Sequence, residues 1–206
     1  MTPLQTLGFA LGTSFASGLN LYATVAAAGL FERFGLVQLP PSLHVLANPV
    51  IIGIALTLFA IEFIADKIPL VDSAWDAVHT FIRPPAAMLI AWSSFGAVPE
   101  AWKIGAALLA GSVALTSHGA KASARAAANT SPEPFSNWAL SLGEDAVAVF
   151  LSWMAAEHPL ITAVVVVVLV IIAVFVIWQL LGFFRRSVAK VREAYRRAVV
   201  WVGEGG

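Results

Sequence analysis

The chain has 206 residues, 59% of them hydrophobic and only 12% charged, with no net charge and a mean hydropathy of +0.85. Such values exclude an ordinary soluble domain, and the balanced charge leaves no electrostatic footprint for nucleic acid. The lack of cysteine excludes disulfides, thiol catalysis and thiolate metal sites, and no cofactor or metal is expected.

An apolar first segment covers residues 3–34. Met1-Thr2-Pro3 lacks a basic stretch and no cleavage site follows, so this segment is expected to be a retained, continuous helix. A proline-containing link, 35–48, leads to a second segment, 49–66, apolar except for Thr57, Glu62 and Asp66. Pro69 suits the first turn of a third helix, where a missing N–H costs little. In that helix Ser73 and Asp76 have capping-box spacing, and Pro84-Pro85 predicts a kink or break before the apolar run 86–98. The fourth segment, 103–129, is rich in Ala, Gly and Ser and ends at Thr130-Ser131-Pro132-Glu133-Pro134. The fifth covers 137–156. The sixth, 159–184, holds 26 residues and is long enough to cross a hydrocarbon layer of roughly 30 Å.

Beyond it, Val188, Val191, Tyr195, Val199 and Val202 share one side of an amphipathic tail. Arg185, Arg186, Lys190, Arg192, Arg196 and Arg197 occupy the rest. Such a tail is expected to lie along the membrane surface. Six of the twelve Lys and Arg residues fall there, which by the positive-inside rule places the C-terminus in the cytoplasm. With six spans the N-terminus is cytoplasmic as well, in a multi-pass protein of the inner (cytoplasmic) membrane.

The chain also resembles itself. At an offset of 101, Gly18 to Ala27 lies over Gly119 to Ala128; at an offset of 90, Ala65 to Val71 lies over Ala155 to Ile161. The fold class expected is therefore an all-α polytopic membrane protein of six transmembrane helices. They form two inverted three-helix repeats, 1–100 and 101–184, and an interfacial tail follows at 185–206. An odd number of spans per repeat forces the second half to enter from the opposite side, an arrangement common in transporters.

Three stretches carry a family resemblance: Ser17-Gly18-Leu19-Asn20-Leu21-Tyr22-Ala23-Thr24; Phe63-Ile64-Ala65-Asp66-Lys67-Ile68-Pro69; and His118 to Arg125 followed by Asn129 to Pro134. Together they resemble a family of bacterial membrane proteins catalogued as domain of unknown function 4126. The likeness extends to about residue 184. It implies a bacterial membrane protein and brings no activity with it.

Charged residues inside apolar helices cost about 2.5–3.5 kcal/mol each to insert, so they should face protein or water. His118, Lys121, Arg125 and Asn129 fall on one helical face, as do Ser17, Asn20 and Thr24 in the first segment, extended backwards by Thr13. Asp72, Asp76, His79 and Arg83 form a third stripe, equally compatible with a solvated hairpin. Glu62, Asp66, Glu144 and Asp145 complete the set. One reading makes these groups structural ion pairs, such as Arg125 with Glu144 or Lys121 with Glu62. The other makes them the lining of a hydrated cavity, because packing alone would use small residues such as Gly12, Ala16, Ala110, Ala114, Ala124 and Ala128.

The function expected is a small secondary transporter with its site between the first and fourth segments. Ser17, Asn20, Thr24, His118, Lys121, Arg125 and Asn129 are the candidate substrate-binding residues. Two cations on a polar face suggest an anionic solute. Glu62, Asp66, Glu144 and Asp145 are candidates for proton or ion coupling, and His118 is a further proton carrier. The alternatives are an ion or proton channel, a flippase for a lipid-linked phosphate, and a non-transporting scaffold. No enzyme is expected, since His-Glu-x-x-His, Gly-x-Ser-x-Gly and phosphate-loop motifs are absent. Partners are membrane lipids and a small solute or ion, not nucleic acid; exposed small-residue faces suit a homodimer.

Overall fold

Helix α1, Pro3–Leu19, starts where local chemistry dictates. Thr2 caps it, its hydroxyl accepting from the Gln5 N–H, while the Gln5 side chain accepts from the Thr2 N–H and Pro3 fills the first turn. Helix α2, Leu21–Arg33, follows after a single residue. A 3-10 helix, Pro41–Ala47, leads into α3, Pro49–Ala65, at an angle of 67°. Then come α4, Pro69–Ser94; α5, Glu100–Ala128; α6, Phe135–Glu157; and α7, Pro159–Glu204. The computed structural model describes residues 1–129 and 135–204, without the side chains of residues 69–70, 190–191 and 194–204. Among the described residues there is no strand.

One helix boundary departs from the sequence expectation, and of the kink or break expected at Pro84-Pro85 the break does not occur. The first segment is not continuous: it breaks at Asn20, whose extended backbone (φ −149°, ψ 105°) ends α1 and starts α2. Conversely, α4 runs unbroken through Pro84-Pro85. A proline deprives only one carbonyl of its partner, and packed neighbours within a bundle tolerate that. At Asn20 a side chain competes for the backbone, capping α2 by accepting from the Ala23 N–H at 2.9 Å. The expected capping box at Ser73 and Asp76 is not a cap either. The helix already begins at Pro69, so both residues lie inside it.

Helix α1 is the centre of the bundle and packs against α4, α5, α6 and α7. The close approach depends on small residues. A Cβ at Gly8 would stand 2.1 Å from the carbonyl oxygen of Pro159, and one at Gly18 would stand 1.8 Å from the Ser117 hydroxyl and 2.3 Å from the Ala114 carbonyl oxygen. Around these contacts Leu11, Phe15, Leu19, Val113, Leu151 and Val166 form the largest apolar core.

Large apolar residues cover the outside, among them Phe81, Trp102, Phe150, Val164, Ile171 and Trp178. Polar and charged residues sit inside instead, the reverse of a soluble domain. Among the described residues, α6 and residues Pro159–Ala189 of α7 are each long and apolar enough to cross a membrane. The bent pair of the 3-10 helix and α3 makes a third candidate. The broken α1 and α2, with 17 and 13 residues, are individually too short, while α4 and α5 carry their charges along one side. The basic tail continues α7 without a backbone break. The side chains of its expected apolar face at Val191, Tyr195, Val199 and Val202 lie outside the described residues, as does the 130–134 motif.

Candidate functional site: a buried charge cluster at a helix break

Ending one helix and starting another in mid-bundle exposes backbone groups that need partners. Asn20 supplies several. Its N–H donates to the Ala16 carbonyl at 2.9 Å, and its own carbonyl accepts from the Thr24 N–H and hydroxyl at 3.1 and 2.8 Å. The freed carbonyls at the end of α1, where the helix dipole is negative, take cations from two other helices. Arg83 Nη1 donates to the Gly18 carbonyl at 2.8 Å, and Lys121 Nζ donates to the Leu19 carbonyl at 3.1 Å. The break and the buried cations therefore stabilise each other.

Those cations belong to one network. Glu62 Oε1 accepts from Arg83 at 2.6 Å and from Lys121 at 3.1 Å. Lys121 also reaches Asp66 at 3.4 Å, and Glu144 stands 3.7 Å away. Arg125 contacts Asp66 at 2.8 Å, Asp72 at 3.0 Å and Glu144 at 2.6 Å. Both ion pairs named from sequence, Arg125 with Glu144 and Lys121 with Glu62, are thus present. Arg83, Lys121, Arg125, Glu62, Asp66 and Asp72 are each at most 2% exposed.

Lys121 and Arg125 have spent their donors, whereas Arg83 Nε has no acceptor among the described residues. Nε and both terminal nitrogens of Arg125 make five hydrogen bonds, matching its five N–H groups. The three protons of Lys121 likewise meet Leu19, Glu62 and Asp66. His118 Nδ1 accepts from Arg83 Nη1 at 2.8 Å, because a guanidinium can only donate. The imidazole proton therefore sits on Nε2, near the Asp76 carbonyl at 3.1 Å and the Thr80 hydroxyl at 2.9 Å. His79 is fixed the other way round, with Nδ1 donating to the Trp75 carbonyl and Nε2 accepting from Tyr22.

Acceptors are in surplus. Three buried cations face six carboxylates: Glu62, Asp66, Asp72, Asp76, Glu144 and Asp145. Among the described residues nothing donates to Glu62 Oε2, Asp66 Oδ1, Asp76 Oδ1 or Asp145 Oδ2. Among the described residues Lys67 makes no ion pair with them: its ammonium donates to the Phe63 carbonyl and lies 3.0 Å above the Phe63 ring, so its charge offsets the excess only at a distance. No group of three or more His, Asp or Glu among the described residues is arranged to hold a metal ion.

Residues 7–179 match the model of the family described as domain of unknown function 4126. The chain belongs to that family. No curated protein and no solved structure matches it. In this member of family 4126 the matched span takes in the whole buried cluster and leaves residues 180–206 outside.

The structure brings most of the sequence-derived candidates together and sorts them. Asn20, His118, Lys121, Arg125, Glu62, Asp66 and Glu144 surround the break. Asn129 sits at the lower end of the same α5 face, 3.4 Å from Asp72 and 2.5 Å from Asn137. Among the described residues Asp145 makes no direct ion pair, its Oδ1 held by Asn20 Nδ2 at 2.8 Å. Thr24 spends its hydroxyl on the backbone, and Ser17 is buried with no partner for its hydroxyl among the described residues. Asp72, Asp76 and Arg83 are fully inside, which corrects the solvated-hairpin alternative for α4. Their regular spacing was the available signal; what hid their importance is that a stripe has the same period whether it faces water or protein. The Gly18 and Leu19 carbonyls carry no side-chain signal at all.

Proposed function

We propose that this protein is a small proton-coupled secondary transporter of the cytoplasmic membrane, with the charge cluster at the Asn20 break as its coupling centre. The observation that carries this reading is the imbalance of the cluster: every donor of Lys121 and Arg125 is used, while four carboxylate oxygens are left without a donor among the described residues around an interrupted helix. Interrupted helices at mid-bundle are how transporters bring polar backbone to a site inside the bilayer. Carboxylate oxygens without donors take up protons at little structural cost, whereas an anionic solute would have to displace carboxylates from Lys121 and Arg125. The anionic solute is accordingly the less supported variant.

In this reading the broken α1–α2 pair, α3, α4, α5, α6 and α7 are six spans with both termini in the cytoplasm, supported by the basic tail. The two inverted repeats are supported by matching joints. The α3–α4 turn and the α6–α7 turn each end in a proline at the first position of the next helix. The packing of α1 on α4 is paralleled by that of α5 on α7, and α1 on α7 by α5 on α4.

The test is a pH jump on purified protein in liposomes adsorbed to a solid-supported membrane. A transient charge displacement is expected, and Glu62→Gln should remove most of it. Absence of current, or an unchanged current in Glu62→Gln, overturns the reading. The complete use of Arg125 donors favours a second reading, a static scaffold braced by ion pairs. Deleting residues 185–206 separates the two: a carrier keeps its current, whereas a scaffold docking through its tail has none to keep.

A further inference from the structure

Beside the cluster, a groove of about 750 Å³ opens between α2, α3 and α6. Its walls are aromatic, with Phe31, Phe59, Phe63, Phe150 and Trp153 among them, and Asp145 is the one charged residue that lines it. Phe59 and Phe63 stand 6.0 Å apart between ring centroids, and Phe150 and Trp153 stand 5.9 Å apart. Asp145 is 8% exposed, and its only hydrogen-bond partner among the described residues is the neutral amide of Asn20. Its other oxygen has no donor, and no cation lies within ion-pair distance of it among the described residues.

We infer that this groove binds lipophilic amines that partition into the bilayer, with the ammonium on Asp145 and the hydrocarbon or aryl part against the phenylalanine and tryptophan rings. The chemistry follows from what the groove lacks. An acyl chain would cover the rings and leave a buried carboxylate oxygen with no donor, which is costly. An anion would add to a cluster that already holds three more carboxylates than cations. An amine supplies the missing donor and a positive charge in direct contact, which neither Lys67 nor Lys121 makes, and aromatic faces attract cations in addition. Phe63 already does so within the molecule, where Lys67 lies over its ring. The lateral opening gives such a molecule a route from the hydrocarbon without crossing water. The inference rests on the membrane reading above for the setting of the groove, and it names a substrate class for the same carrier.

The test is equilibrium binding of 4-phenylbutylamine to the full chain in phosphatidylcholine nanodiscs, with empty nanodiscs subtracted and 5-phenylpentanol as the neutral analogue. Saturable binding of the amine is expected, weaker by about tenfold or more in Asp145→Asn, which removes a hydrogen bond to a charged group. The alcohol should bind weakly and indifferently to that change. Phe150→Ala, at an exposed position, should also weaken the amine and serves if Asp145→Asn does not fold. Equal binding of amine and alcohol, no effect of either variant, or no saturable binding each overturns the inference. Because binding is read without transport, saturable amine binding alongside an absent pH-jump current would sink the carrier and keep the site. A current without amine binding would do the opposite.

Discussion

Replacing Arg125 with Met tests the charge cluster most directly. The side chain is 1% exposed and its five hydrogen bonds end on Asp66, Asp72, Glu144 and the Asp66 carbonyl. Methionine fills much of the same volume but leaves three carboxylates without their shared cation. Breaking a buried ion pair by removing one partner costs about 3–5 kcal/mol, and solvent screening does not reduce this at a site so enclosed. For a chain of this length about 1 kcal/mol shifts the melting temperature by about 2–4 °C, so a fall of roughly 6–20 °C is expected. Tryptophan fluorescence during heating in detergent reads it without labels, since the chain has seven tryptophans. Adding Glu144→Gln should return part of the loss, because one of the orphaned charges disappears; a coupling of about 0.5–3 kcal/mol is the expected scale. If Arg125→Met melts within about 2 °C of the wild type, the cluster is not held together as described. A loss that Glu144→Gln deepens would equally refute the pairing.

Other changes probe the break and the packing around it. Asn20→Ala removes the cap of α2 and the amide that holds Asp145, so a loss of about 1–2 kcal/mol is expected from the cap alone, read by the same melting curve. Gly18→Val should prevent α1 from seating on α5, since even a Cβ would meet Ser117 and Ala114, and the expected outcome is loss of the folded species on size-exclusion chromatography. Gly105→Ala is the matched control: nothing lies within 4 Å of a Cβ there, and replacing a mid-helix glycine should gain about 0.5–1 kcal/mol. Thr2→Ala, which removes the cap of α1, should cost about 1 kcal/mol and is measured by hydrogen exchange of the first helical turn.

Several features were legible before any coordinates because they depend on local period or on solvent. The helical class, the turns at Asp66 and Glu157, the apolar sixth segment and the stripes on α4 and α5 all follow from side-chain chemistry along one helix. Family membership was legible in the same way, since short motifs carry it. The ion pairs Arg125 with Glu144 and Lys121 with Glu62 could be named because a buried charge needs an opposite one and few were on offer.

Residue chemistry along the chain tells which residues are too polar for lipid and which helix faces they share. What those faces meet depends on partners brought together by the fold. Asn20 breaks its helix because Arg83 and Lys121, from distant parts of the chain, are there to take the freed Gly18 and Leu19 carbonyls. Pro84-Pro85 does not break α4, although proline is the stronger local breaker. Local propensities amount to a few kcal/mol, whereas unpaired charges and carbonyls inside a bundle cost as much each, so the long-range partners decide. For the same reason the surplus of carboxylates was invisible in a nearly balanced inventory of charges. It emerged only once Lys67 was seen to make no ion pair among the described residues and Asp145 was seen to bond a neutral amide.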